Sequence, residues 1–240
     1  MILLNIFKHQ IKILQKTSID IITLDYFKFA QKEKEKYDFK HCTELTQEIK
    51  QNETFGSKIY NFSIASKKIN KIVIEPNEIF SFWHTIGNPK NQFQKGRTIK
   101  EGKIFEDIGG GLCQVSGILY YISIIAGLKV LERYNHSVDI YDDSTRFCPL
   151  GTDATLVHGN KDLRIQNNYN FPIKFNLSVF ENTINVKLLS TKKIEESELT
   201  FETKEIDNFK TVSVFDSNGI KINESKYKKL NPTRVLRNLG

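Results

Sequence analysis

This chain of 240 residues has few cysteines and no long apolar run, and each shortage excludes a class of protein. Its three cysteines, Cys42, Cys113 and Cys148, are odd in number and widely spaced, which excludes a disulfide-stapled framework. No stretch approaches the roughly 18 apolar residues of a membrane span. The N-terminal apolar run is short, is interrupted by Asn5 and has no basic region before it, so it is a poor signal peptide. Free thiols and the missing signal therefore predict a cytoplasmic protein, unless a leader has been lost.

Metal-ligand spacings and nucleic-acid-binding motifs are also absent from the sequence. The cysteines and histidines that could bind zinc contain no short C-x-x-C or H-x-x-x-H pair; they are Cys113, Cys148, His84, His136 and His158. We therefore expect no metal and no cofactor. The net charge is +7, with basic clusters over residues 67–71 and 226–237. Without a nucleic-acid-binding signature, these clusters indicate either a solvated surface or an anionic partner such as a wall polymer or a lipid surface.

Composition and periodicity predict an α+β fold. Hydrophobic residues make up 39% and charged residues 26% of the chain, which is long enough for one good core. Phe7, Ile11 and Leu14 recur at helical spacing, which predicts a helical N-terminal segment over residues 1–55. Residues 113–126 are apolar on most sides, as in a buried central helix. Alternating patterns further on predict a mainly antiparallel sheet, with a core domain over 56–190 and a β-rich C-terminal extension over 191–240.

The most informative local feature is the run Gly109, Gly110 and Gly111, just before Cys113 and Gln114. Glycine permits backbone conformations that other residues avoid, and it lets the backbone approach a ligand closely. The run places the cysteine where a helix begins, and the free N–H groups and helix dipole there favour a thiolate. The cysteine is therefore a candidate nucleophile, with a small buried structural residue as the alternative. The glycines, the cysteine N–H and Gln114 are candidates for an oxyanion hole.

A histidine and an aspartate further along the chain complete a candidate catalytic set. His136 follows a predicted strand, and as a base it would take the Cys113 proton and later give it to a leaving group. Asp153 would hold the imidazole in one tautomer. Asp139 and Asp142 compete for that role, although Asp139 alternates away from the histidine. A satisfied structural histidine is the alternative interpretation.

The chain resembles the VanW family, named for an accessory protein of vancomycin-resistance gene clusters. The resemblance covers roughly residues 72–188 and rests on motifs in a shared order, namely EPNEIFSFW at 75–83, IGNP at 86–89, GGGLCQ at 109–114, ERYNHS at 132–137, GTDAT at 151–155 and DLRIQNN at 162–168. It implies an association with cell-envelope stress or peptidoglycan metabolism, without a defined reaction. Within these motifs Arg133 and Ser137 flank His136, and both are candidate substrate- or oxyanion-binding residues.

The order of Cys113, His136 and Asp153 also resembles that of transglutaminase-like and papain-like thiol enzymes. This second resemblance implies a cysteine-dependent acyl-transfer or amide-hydrolysing enzyme acting on a peptide or peptidoglycan-derived substrate. A binding module without catalysis is the first alternative, in which the glycines hold a peptide or an anionic group. A structural or regulatory protein is the second, in which the glycines only allow tight helix packing.

Overall fold

The computed structural model describes residues 2–33, 35–100, 103–139, 146 and 148–229. Its α-helices are α1 (Ile2–Ile22), α2 (Phe55–Ile69), α3 (Phe82–Ile86) and α4 (Leu112–Ile125). Its strands are β1 (His41–Glu48), β2 (Ile79–Ser81), β3 (Lys95–Lys100), β4 (Lys103–Ile108), β5 (Lys129–Glu132), β6 (Val138–Asp139), β7 (Arg164–Gln166), β8 (Ile173–Phe180), β9 (Thr183–Ser190), β10 (Thr200–Ile206), β11 (Phe209–Phe215) and β12 (Lys221–Lys229). Within these ranges no helix combines the length and the hydrophobicity that crossing a bilayer requires.

The strands are distributed over several sheets. The order β1-β9-β8 and the order β2-β7-β5 are each antiparallel, and β3 and β4 form a hairpin. The order β10-β11-β12-β6 ends in a parallel pair, because β6 runs alongside the end of β12. This mixture of helices and mostly antiparallel strands confirms the predicted α+β class, with several sheets in place of one.

Helix α4 lies at the centre of the core, as its apolar sequence predicts. Val115, Ile118 and Leu119 have no exposed surface and belong to one continuous hydrophobic cluster with residues of β8 and β9. A helix buried on most sides must satisfy its polar side chains locally. The Ser116 hydroxyl does so by donating to the Ala154 carbonyl oxygen at 2.6 Å, which fastens the helix to the segment that follows Asp153.

The predicted helical segment over residues 1–55 is wrong in its second half. Helix α1 ends at Ile22, and β1 pairs with β9 along its whole length. Thr43 and Gln47 of this strand are buried, and Leu45 lies between them on the same face. That face therefore carries a single apolar residue, which is too weak a signal for a periodicity argument to detect a strand.

The C-terminal region is β-rich, as expected, but it packs directly against the core. Val212, Val214 and Tyr227 are buried within the same hydrophobic cluster as α4. Strand β12 also pairs with β6, which begins two residues after His136. The packing therefore brings the C-terminal sheet alongside the candidate catalytic residues.

Candidate thiol site

Cys113 is the second residue of α4, at the place that the glycine run predicts. Gly109 and Gly111 have φ angles of +83° and +93°, a region that side chains disfavour, and Gly111 is the N-cap of the helix. The resulting turn closes with a bond from the Leu112 N–H to the Gly109 carbonyl oxygen at 3.1 Å. The thiol is half-buried and free of disulfides.

Gly110 serves a different purpose from its two neighbours. A Cβ atom there would lie 2.2 Å from the carbonyl carbon of Gly96 in β3, so the two backbones touch. Asn61 of α2 holds the contact together, because its amide donates to the carbonyl oxygens of Gly110 at 3.0 Å and Gln94 at 2.9 Å. The glycine turn (residues 109–111) is therefore clamped between α2 and β3, which fixes where α4 begins.

The imidazole of His136 is held by Asp153. Its Nδ1 lies 2.6 Å from Asp153 Oδ2, and the His136 backbone N–H donates to the same oxygen at 2.7 Å. Burial disfavours the charged imidazole, but the bond to Asp153 and the interaction with Cys113 outweigh burial and raise the pKa of His136 to about 10. The imidazole therefore carries a positive charge at neutral pH.

The Cys113 sulfur faces several groups that stabilise its anion. Burial opposes ionisation, but the hydrogen bond and charge of His136 outweigh it and lower the pKa of the thiol. The backbone N–H of Leu156 and the hydroxyl of Thr155 act in the same direction, with the hydroxyl oxygen 3.9 Å from the sulfur. The geometry thus favours a thiolate beside an imidazolium.

Asp153 is itself fixed by a buried set of donors. Arg133 donates to its Oδ1 at 3.0 Å and to its backbone carbonyl oxygen at 2.7 Å, and the Tyr227 hydroxyl donates to Oδ1 at 2.5 Å. Burial raises the pKa of Asp153, but His136 and Arg133 more than compensate and lower it to about 2. The carboxylate is therefore ionised at neutral pH and holds the imidazole in one orientation.

Arg133 is predicted to bind substrate, but its guanidinium is occupied by other groups of the protein. Its guanidinium also donates to the Gly151 carbonyl oxygen and to the Ser225 hydroxyl, and it lies 4.8 Å from the centre of the Tyr120 ring. All of these contacts are internal to the protein, and the side chain is 7% exposed. The geometry therefore makes Arg133 a positioning residue for Asp153.

Replacing Arg133 with alanine should lower the free energy of unfolding by about 3 kcal/mol, because the buried Asp153 charge would lose its main cation. Arg133→Lys should fall between this variant and the wild type, because lysine keeps the charge but cannot bind several acceptors at once. Urea unfolding followed by circular dichroism measures the change. Lys129→Ala, at an exposed position a few residues earlier, is the matched control. An Arg133→Ala midpoint equal to that of the control would contradict this assignment.

The remaining predicted residues have mixed placements. Gln114 is engaged within the protein, because its amide donates to the Glu48 carbonyl oxygen at 2.8 Å and its backbone N–H donates to the Gly111 carbonyl oxygen at 2.8 Å. Ser137 lies in the loop before β6, where its carbonyl oxygen accepts from the Lys228 N–H. Among the rival acids, Asp139 binds Arg146 through two bonds of 3.0 Å, and Asp142 lies outside the described residues.

The other histidines and cysteines lie apart from this arrangement. His84 packs on the Phe29 ring, and His158 lies 3.3 Å from His9. Burial raises the pKa of Cys148 to about 11. In the part of the chain that the structure describes, no group of three or more His, Cys, Asp and Glu side chains is placed to hold a metal ion.

Two basic residues, Lys58 and Arg97, lie on the segments that clamp the glycine turn. A Cβ atom at Gly111 would be 2.7 Å from Lys58 Cγ, so the stem of this lysine crosses the turn. The backbone N–H of Arg97 donates to the hydroxyl of Thr54 at 3.0 Å, and Thr54 lies one helical turn before Lys58. Burial, with the Arg97 charge as the second cause, lowers the pKa of Lys58 to about 8. Lys58 Nζ lies 5.6 Å from the centre of the Phe62 ring, and Arg97 faces Glu106 across the β3–β4 hairpin, so charges of both signs lie near the start of α4.

Sequence reasoning missed the residues that the C-terminal sheet contributes. Tyr227 and Ser225, both on β12, contact Asp153 and Arg133 respectively. They lie more than 70 positions away in the chain, and neither belongs to a recognisable motif. Thr155 could have been found from the sequence, because it belongs to the GTDAT motif that supplies Asp153.

The fold and site together define an α+β protein in which a cysteine stands at the start of a buried helix. An imidazole lies beside its sulfur, and a carboxylate holds the imidazole. The model of the family described as VanW like protein matches residues 57–189, which is more than half of the chain. The chain therefore belongs to the VanW family. The matched region includes Lys58, Cys113, His136 and Asp153 but ends before β12.

Two curated relatives support this membership. Uncharacterized protein YoaR of Bacillus subtilis is 34% identical over 145 residues, which is 60% of this chain and 46% of the relative. The vancomycin B-type resistance protein VanW of Enterococcus faecalis is 31% identical over 113 residues, 46% of this chain and 41% of the relative. The chain thus spans less than half of either relative. No solved structure matches, and the resemblance to transglutaminase-like and papain-like enzymes stays a prediction.

Proposed function

We propose that this VanW-family protein is a cysteine-dependent enzyme that cleaves or transfers an amide of a peptide or peptidoglycan-derived substrate. The observation that supports this most strongly is the continuous arrangement from the Cys113 sulfur through the His136 imidazole to the Asp153 carboxylate. Each member has a pKa shifted toward its charged form by the next, as an activated nucleophile requires.

The reaction follows from the charges of the resting site. The Cys113 thiolate attacks the amide carbon, and the carbonyl oxygen becomes an oxyanion. The His136 imidazolium then gives its proton to the departing amine, and a thioester remains on the sulfur. Water, or an acceptor amine, attacks the thioester, gives a proton to the imidazole and restores the thiolate.

The groups that would stabilise the oxyanion are backbone donors. The N–H groups of Leu112 and Gln114 are engaged within the glycine turn, so the N–H of Cys113 between them is the candidate donor at the helix start. The Leu156 N–H, which faces the sulfur, is the second candidate. Gln114 and Arg133 are not used in this scheme, because other groups of the protein already occupy them.

The substrate class rests on the family. The Enterococcus faecalis relative is named for vancomycin resistance, so peptides derived from peptidoglycan are the first substrates to test. Lys58, whose stem crosses the glycine turn, is the candidate contact for a substrate that carries a carboxylate.

The experiment is a search for an acyl adduct on the sulfur. Wild-type protein treated with p-nitrophenyl acetate at neutral pH should acquire one acetyl group on Cys113, located by peptide mass spectrometry. Cys113→Ala should acquire none at this site, while Cys42→Ala, which removes an exposed thiol, should behave as the wild type. An adduct shared equally between Cys42 and Cys113 would remove the proposal.

Peptidoglycan fragments give the second measurement. Incubation with the wild type should release new amine and carboxyl ends, detected by liquid chromatography and mass spectrometry, and Cys113→Ala should release none.

Binding without catalysis is a second candidate function, favoured by the position of Lys58 at the glycine turn. It predicts that wild type and Cys113→Ala bind these fragments equally without a product, and that Lys58→Ala binds them less.

A further inference from the structure

Helix α1 attaches to the rest of the protein through its polar side. Asp20 binds the guanidinium of Arg164 through two bonds of 2.6 and 2.7 Å. One turn earlier, Lys16 pairs with Glu132 at 2.5 Å. His9 and Ile13 continue the same stripe toward the N-terminus, where they contact His158 and Gly159. Because these four positions recur every three or four residues, they define a single inward face.

The opposite face of α1 is apolar and exposed. Phe7, Leu14 and Ile22 are 65%, 65% and 79% exposed, and Ile11 and Ile21 lie on the same stripe. On a helix with 3.6 residues per turn, this stripe lies almost directly opposite the inward face. The helical spacing of Phe7, Ile11 and Leu14 predicted a helix here, and the structure turns these apolar side chains outward.

Charge identifies what would cover this face. Lys8 and Lys12 are exposed along one edge of the stripe, and residues 7–19 contain no Asp or Glu. Two copies of the helix packed face to face would bring these like charges together. A surface of anionic lipid would accept both the apolar side chains and the lysines.

We propose that α1 is a membrane-surface helix through which the protein binds anionic lipid, with the stripe from Phe7 to Ile22 in the headgroup region. The polar face stays fastened to the protein through Lys16 and Asp20, so binding needs no unfolding of α1. The orientation is that of a helix lying in the plane of the interface. This inference is independent of the chemistry at Cys113.

The test is flotation of the full chain with lipid vesicles. Vesicles of phosphatidylcholine in which about a third of the lipid is phosphatidylglycerol should bind the wild type about tenfold better than neutral vesicles. The double variant Phe7→Ser/Leu14→Ser should lose about tenfold or more of this binding, because two large apolar side chains are removed from the interface. Lys8→Glu/Lys12→Glu should lose the preference for anionic vesicles.

A matched control removes apolar surface elsewhere. Phe180 and Ile220 are 71% and 63% exposed at distant hairpins, and Phe180→Ser/Ile220→Ser should bind vesicles as the wild type does. All of these positions are solvent-exposed, so the melting temperatures of the variants should be close to that of the wild type. Absence of wild-type binding, or equal loss in the control, would overturn the proposal. A concentration-dependent dimer that Phe7→Ser/Leu14→Ser abolishes, without vesicle binding, would assign the face to a second copy and overturn it as well.

Discussion

Replacing His136 with glutamine should lower the rate at which iodoacetamide alkylates Cys113 at pH 6 by about tenfold or more. Only the thiolate reacts with iodoacetamide. Among the groups that oppose the effect of burial, the imidazolium lowers the thiol pKa most. Without the imidazolium, burial is opposed by only the smaller effects of the Leu156 N–H and the Thr155 hydroxyl, so the thiol pKa should rise. The rate should then fall about tenfold for each pH unit below that pKa. The wild-type rate should be higher over the same range, because its thiol pKa is lowered.

The measurement needs a background in which the other thiols are silent. Cys42→Ser/Cys148→Ser leaves a single cysteine, and quenched time points analysed by intact mass give the rate. His158→Gln is a matched control, because it removes another partly buried histidine that is not in contact with the sulfur. If wild type and His136→Gln have the same pH profile, or if Cys113 reacts only after unfolding, the thiolate assignment fails.

The pair of Cys113 and His136 should also affect how the free energy of unfolding depends on pH. The folded-state pKa of His136 is raised to about 10, so its stabilising contribution is complete below about pH 6.5 and is lost as pH rises toward 10. Ionisation of Cys113 offsets this loss until about pH 8.5, because folded and unfolded chains then hold one proton each on the pair. The free energy of unfolding should therefore fall between about pH 8.5 and 10 in the wild type. In Cys113→Ser the decline should begin near pH 6.5, because no thiol ionisation offsets the loss of the His136 contribution.

Gly110→Ala should lower the free energy of unfolding by about 3 kcal/mol or more, or prevent folding. The added Cβ would lie 2.2 to 2.5 Å from three backbone atoms of Gly96, so no side-chain rotation can relieve the overlap. The β3–β4 hairpin or the start of α4 must move, which should also reduce Cys113 alkylation. Thermal unfolding by calorimetry measures the loss.

Gly56→Ala is the control for Gly110→Ala. Gly56 lies in the first turn of α2, and nothing is within 4 Å of the position of its added Cβ atom. Alanine favours a helix over glycine, so this variant should be as stable as the wild type or slightly more stable. Equal melting temperatures for the two alanine variants would show that the contact between Gly110 and Gly96 is not tight.

Cys113, His136 and Asp153 were accessible from the sequence because each lies within a local motif. The glycine run predicts the start of α4 and the place of Cys113, and alternation predicts that Asp139 faces away from His136. The roles of Gln114 and Arg133 were not accessible. Their partners, the Glu48 carbonyl oxygen and the Ser225 hydroxyl, are 66 and 92 residues distant, and no local pattern reports such pairings.

The sequence alone determined the features that depend on residues close together in the chain. These are the buried central helix, the glycine turn before it and the C-terminal hairpins, together with the motifs that indicate the VanW family. Tertiary structure decided how Asp153 is held, that β1 is a strand, and that α1 presents its apolar side outward. Periodicity reports that a helix has two different faces, but which face is buried depends on what the remainder of the chain offers. Here Arg164 and Glu132 bind the polar side of α1, and ionic contacts at a partly buried interface override the usual preference of apolar side chains for the interior.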